Sequence, residues 1–204
     1  MNAYQKEQLD ALLMIRQHLT ELSGAEIDDL KNEIADYLEF RCRVADFLEI
    51  RFKEICTEKC YQNRLSACCS KDGIIAFWGD LVVNALTSEK EDLDHLVNGI
   101  QTPANASKCI FLAKSGCLWQ VKPIVCEMFL CDEAENRVFG NDPGALQTWE
   151  DFKEEKKRFT WPDRPVLFEK LEQYFIDKGC DSSLMYIHKS PGLMRIKRNR
   201  GIEN

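Results

Sequence analysis

The chain has 204 residues, 30% of them charged, with only ten glycines and six prolines, which describes a folded globular protein and excludes disordered and fibrous classes. Its net charge of −7 excludes a general nucleic-acid binder, because phosphate binding needs a dense basic footprint. The length suits a single domain, 1–204, and no stretch is long and apolar enough to span a bilayer.

The N-terminal run "MNAYQKEQLDALLMIRQHL" is amphipathic and contains Glu7 and Asp10, unlike a secretory segment, so a cytoplasmic location is expected. Leu9, Leu12, Leu13, Leu19 and Leu22 recur at helical spacing over about 4–22. Ser23 and Glu26 then form a capping box, the Ser hydroxyl taking the amide of Glu26 while the carboxylate reaches back. A second helix is predicted to follow, with Ile27, Leu30, Ile34, Leu38, Cys42, Ala45, Leu48, Phe52 and Ile55 as its apolar stripe. Unbroken, it would run about 45 Å, so a bend is expected. Residues 1–55 are thus read as a helical hairpin.

The stretch 56–131 has a different texture. "GIIAF" reads as a short strand and "GDLVVNAL" as a helix with Asp80 near its start. An acidic helix follows from Ser88 to about Gly99, its Glu89, Glu91, Asp92 and Asp94 forming a solvated face. "QTPANAS" and "KSGC" are turn signals. Over 145–204 helical spacing returns, in "LQTWEDFKEEKKRF" and again in "RPVLFEKLEQYFIDKG", which Pro165 and Gly179 bracket. The basic tail, with Lys189, Arg195, Lys197, Arg198 and Arg200, reads as a frayed, solvated end.

Eight of the ten cysteines fall within 56–131. They run C-x3-C-x7-C-C for Cys56, Cys60, Cys68 and Cys69, then C-x7-C-x8-C-x4-C for Cys109, Cys117, Cys126 and Cys131. In a reducing compartment such density points to metal binding or catalysis. Four thiolates complete the shell of zinc or hold one iron–sulfur cluster, and the binding free energy can order a loop-rich segment. On a continuing helix, Cys56 and Cys60 leave one face a turn apart. Met128 and Phe129, between Cys126 and Cys131, can shield a site from water. Adjacent side chains in an irregular turn beside Gly73 diverge. One sulfur of the Cys68–Cys69 doublet then enters an ion's shell, while the other closes a second site or sits behind the first. Cys42 is read as a buried helix thiol and Cys180 as incidental.

The run "CTEKCYQNRLSACC", followed by "CIFL" at 109 and "GCLWQVKPIVCEMFLC" ending at 131, resembles the YkgJ-type cysteine-cluster family, described as a zinc- or iron-chelating domain. The resemblance covers about 56–131 and implies metal chelation through the eight cysteines. Lys122-Pro123 stands where that family usually has Arg-Pro, and Glu127 where it has arginine after the cysteine. The fold expected is mainly α, with an N-terminal hairpin (1–55) and C-terminal helices (145–204) around a loop-rich, cysteine-ligated core (56–131). The partner implied is a metal ion, zinc or iron.

No hydrolase, phosphate-loop or dinucleotide motif appears. The three histidines are unpromising: His18 lies among leucines, and His95 reads as a surface helix residue. Phe77, Trp78, Trp119 and Phe129 are expected to pack around the cysteines, with Trp119 partly exposed. The alternative to a metal-binding protein is an iron–sulfur enzyme or electron carrier, distantly like the flagellin lysine methylases in its cysteine cluster.

Overall fold

Aromatic packing among three long helices organises the molecule. In a computed structural model, which describes residues 1–63, 65–66, 68–69, 75–102 and 108–202, α3 (Ala35–Phe52), α8 (Pro143–Thr160) and α9 (Leu167–Asp177) meet through their rings. Phe40 stacks on Phe159 at 5.3 Å, Phe47 on Trp149 at 5.8 Å, and Tyr37 meets Phe168 edge-on at 5.4 Å. Offset and edge-to-face arrangements of this kind add about 0.5–1.5 kcal/mol per pair beyond the area buried.

Around this core the described residues are mainly helical. α1 (Ala3–Glu21) is capped by Asn2 and packs against α4 (Trp78–Thr87) and α5 (Lys90–Gln101). Gln5 extends that contact, donating to the carbonyls of Ile100 at 2.7 Å and Thr102 at 2.8 Å where α5 ends. The main partners of α1 are therefore α4 and α5, not the helix that follows it. α2 (Gly24–Glu33) starts at the Ser23–Glu26 capping box. The long second helix divides at Ile34, whose backbone (φ −91, ψ −2) separates α2 from α3.

The face α3 buries matches its predicted stripe at Ile34 and Phe52 but departs from it at Cys42 and Ala45. Ile34, Tyr37, Phe40, Arg41, Val44 and Phe52 are buried, whereas Cys42 and Ala45 are exposed. Both registers satisfy helical spacing, but the rings of Tyr37 and Phe40 bury more apolar area than a thiol and a methyl, and they decide it. Beyond Phe52 the chain continues as a π-helix, π1 (Lys53–Tyr61).

α4 starts as expected: Asp80 accepts the amide of Phe77 at 2.9 Å. No strand forms over 75–77, the described part of "GIIAF". The strands found among the described residues are a two-residue pair, β1 (Leu112–Ala113) and β2 (Gly116–Cys117), in which Leu112 faces Cys117. Gly116 has φ +119, a conformation open to glycine, where the two-residue turn re-enters β2. α6 (Ile124–Glu127) and α7 (Asp132–Phe139) follow. The turns expected over 103–107 lie outside the described residues.

Asp142 caps α8, accepting the amide of Ala145 at 2.9 Å, and Gly179 (φ +83) closes α9 with Cys180 donating to Phe175 O at 2.9 Å. The basic tail is not frayed. It folds as α10 (Tyr186–Lys189) and α11 (Pro191–Asn199), and Lys197 is buried against Glu169 at 2.5 Å. Among the described residues no helix is long and apolar enough to cross a membrane.

Candidate metal centre

α4 and α3 hold the segment that carries Cys126. From α4, Asn84 Oδ1 accepts the amide of Val121 at 3.1 Å, and Asp80 Oδ1 accepts the amide of Ile124 at 3.0 Å. From α3, Arg41 donates to the carbonyl of Lys122 at 2.6 Å and to the carboxylate of Glu127, while its other terminal nitrogen donates to Tyr37 Oη at 2.7 Å. Three polar side chains thus fix 121–127 against the hydrophobic core. Each satisfies backbone groups that burial would otherwise leave costly.

The other cysteine segments are joined by backbone bonds. The amide of Cys109 donates to Cys69 O at 3.1 Å, and that of Cys69 donates to Ser66 O at 3.0 Å. Ser66 itself is held at φ +38, an unusual conformation for a non-glycine residue beside the doublet. Lys108 braces this loop through the carbonyls of Leu65 and Ser66. Leu118 donates to Phe111 O at 2.9 Å, and Tyr61, at the end of π1, donates to Lys114 O at 2.8 Å in the hairpin turn.

The result is a cavity of about 470 Å³ lined by Cys56, Cys68, Cys69, Cys109, Cys117 and Cys126. Six of the eight sequence-predicted cysteines are therefore brought to one place. Cys60 and Cys131 do not line it, but both lie within electrostatic reach of Cys56. None of the ten cysteines is in a disulfide. Among the described residues, no three Cys, His, Asp or Glu side chains stand close enough together to hold an ion.

The opposite walls are apolar, with Leu48, Phe52, Phe111 and Trp119 prominent. Trp119 is buried rather than partly exposed, because its ring meets Phe111 edge-on at 5.0 Å. Phe129 corrects the expectation in the other sense. It lines the cavity but is exposed, and Met128 takes the buried place of that pair.

The thiols sit in surroundings that oppose their charge. Burial pushes Cys56 and Cys126 up to about 11, followed by the neighbouring sulfurs at Cys56, and by Asp80 and then the sulfurs at Cys126. Burial likewise pushes Cys109 up to about 12 and raises Cys117. The doublet behaves as a pair: a hydrogen bond from Cys68 to Cys69 lowers Cys69 and raises Cys68. Amides act in the opposite direction, since Phe111 N donates to Cys109 Sγ at 3.3 Å and the Trp119 amide favours the Cys117 thiolate. Partly exposed thiols gathered on one cavity, repelling one another as anions and with amide donors aimed at sulfur, are the donor chemistry that suits a soft or borderline cation.

No family profile, curated protein or solved structure matches the chain. The site is therefore described by its own residues. Sequence reasoning missed Arg41, a charged residue beside the predicted apolar stripe, and Asn84, which carries no motif. Asp80 was seen only as a helix start, and its second role, holding Ile124, is a contact 44 positions away. Gly73, beside which the doublet was expected to diverge, lies outside the described residues. His18 meets Tyr174 Oη at 3.2 Å, and His95 is exposed, as its place on a solvated face predicts.

Proposed function

We propose that the chain is a metal-binding protein that chelates zinc or iron through its clustered cysteines, in a reducing, cytoplasmic setting. The observation that carries this reading is the convergence of six cysteines, from π1, the 68–69 loop, the hairpin region and α6, on one cavity with no disulfide among them. Six thiols from separate segments gathered on one cavity, three of them exposed, contribute little to packing, whereas shared ligation accounts for their convergence. The resemblance of 56–131 to the YkgJ-type cysteine cluster supports it in the order of the cysteines.

Ligation asks each participating thiol to release its proton and the sulfurs to move closer than they now stand. The raised Cys56, Cys109, Cys117 and Cys126 thiols make that release strongly pH-dependent. A bound cation would add to the positive charge of Lys122, which lines the cavity and favours the thiolates of Cys56, Cys68 and Cys117, while Arg41 is taken up by Glu127.

A second reading, an iron–sulfur enzyme or electron carrier, is favoured by two observations. The cavity of about 470 Å³ is larger than a single ion requires, and an amide already donates to Cys109 Sγ, as donors do to cluster-ligating sulfurs.

Anaerobic purification with metal and sulfide analysis and a visible spectrum tests both. A colourless protein with stoichiometric zinc is the expected result for a structural or storage site. Iron with acid-labile sulfide and a broad visible band would select the cluster. Freely titrating thiols with no metal would overturn chelation altogether.

A further inference from the structure

We infer that the eight clustered cysteines form two four-thiol sites, one from Cys69, Cys109, Cys117 and Cys126 and the other from Cys56, Cys60, Cys68 and Cys131. The adjacent Cys68 and Cys69 then contribute one sulfur to each. This rests on the metal-binding reading above, and sharpens it.

The first set is assembled around backbone pairing. Cys109 donates to the Cys69 carbonyl at 3.1 Å, which places those two residues side by side. Leu112, which donates to Cys109 O at 3.1 Å, faces Cys117 across the hairpin, so the turn after Cys109 brings Cys117 back toward it. Cys126 is held to the same wall by Asp80 and Asn84 through 121–124. All four line the cavity. Each is also within electrostatic reach of the others: Cys69 of Cys109, Cys117 and Cys126, Cys109 of Cys117 and Cys126, and Cys126 of Cys117.

The second set is assembled around π1. Cys56 and Cys60 lie four positions apart on it, about one turn, and turns of this rare type are frequent at functional sites. The amides of Leu65 and Ser66 both donate to the Cys60 carbonyl, at 2.9 and 3.4 Å, folding the chain back so that Cys68 returns beside π1. Cys131 is the residue that caps α7, and Arg137 of α7 pairs with Glu54 of π1 at 3.3 Å, docking one element on the other. Cys56 is within electrostatic reach of Cys68, Cys131 and Cys60.

Cys68 is the shared edge. It hydrogen-bonds Cys69 and is also felt by Cys117 and Cys126, so the two sites would be close neighbours. A tetrahedral ion or one cluster takes four cysteines, which leaves four of the eight for a second centre.

The test is zinc titration of the full-length reduced protein, followed by alkylation of unprotected thiols and mass mapping. Two equivalents should bind. At saturation all eight cysteines should be protected, and at limiting zinc protection should appear in one group of four before the other. Cys109→Ser should lower capacity from two equivalents to one while Cys60 and Cys131 stay protected; Cys131→Ser should also lose one equivalent, with Cys109 and Cys126 still protected. Binding of one equivalent, with Cys60 and Cys131 alkylated throughout, would overturn the division and leave chelation standing. Loss of both equivalents from either single variant, with the circular-dichroism spectrum unchanged, would also overturn it. No binding by the unsubstituted chain would remove the chelation reading itself. Because the mapping uses the unsubstituted chain, it decides the matter even where a variant fails to fold.

Discussion

Arg41 and Glu127 form an ion pair whose side chains are 4% and 11% exposed, joining α3 to the short helix that carries Cys126. Glu127 stands where the cysteine-cluster resemblance leads one to expect arginine, and here the guanidinium arrives from a different helix. The pair balances its own charge, so it contributes position rather than net positive potential to the thiols. Arg41→Ala would leave a largely buried carboxylate with only the looser contact to Lys122, at 3.8 Å, and free the Lys122 carbonyl. The expected loss of stability is about 3–5 kcal/mol, the usual result of removing one partner of a buried pair. Urea denaturation checks it, and a loss below 1 kcal/mol would show that water reaches Glu127 freely.

Asp80 should make stability depend on pH in an unusual direction. Its carboxyl is fully buried, and desolvation pushes it up to about 6 from an ordinary 3.8, against the pull of the Phe77 and Ile124 amides and of Arg41. The folded state therefore holds this proton more tightly than the unfolded one. Its contribution to stability is complete below about pH 4 and is lost as pH rises through 6, by about 3 kcal/mol in all. Asp80→Asn keeps one acceptor and loses the charge. Its stability deficit relative to the unsubstituted chain should shrink between pH 4 and 7. Parallel pH profiles for the two proteins would refute the assignment, because other carboxylates cancel in the difference.

Gly79 sits where α4 crosses α9. A Cβ placed there would lie 2.6 Å from the Phe168 ring, so the helices can approach only because the residue has no side chain. Gly79→Ala should destabilise by about 1–3 kcal/mol despite better helix propensity, since overpacking outweighs the propensity gain. Pairing it with Phe168→Leu should recover part of the loss. Unchanged thermal stability in the single variant would show that the ring can move aside.

The exposed and clustered cysteines should separate cleanly. Cys42→Ser removes a thiol on the outer face of α3, and should leave metal content and melting temperature unchanged. Cys56→Ser and Cys126→Ser remove cavity thiols and should lower both together. Metal analysis and a melting curve on each purified variant make the comparison, and metal loss in Cys42→Ser would contradict it.

Much of the local architecture follows from residues near one another in the chain. The Ser23–Glu26 box starts α2, Asp80 starts α4, and Gly179 with its positive φ stops α9, because capping and helix termination are satisfied within a few residues. The cysteine order likewise singled out eight residues, six of which share a cavity. What local pattern could not supply was the choice between equivalent faces. Two registers of α3 fit helical spacing, and the rings of α8 and α9 selected the one that buries Tyr37 and Phe40 and exposes Cys42.

Arg41 and Lys197 show the same division more sharply. In sequence each is a charged residue that belongs in water. Each is buried because a carboxylate distant in the chain, Glu127 or Glu169, meets it in the fold and offsets the cost of desolvation. The amino-acid sequence by itself determined a helical protein with a thiol-rich middle. Only the tertiary structure decided which thiols face one another and which charges hold them there, because those contacts depend on partners that the chain brings together only when it folds.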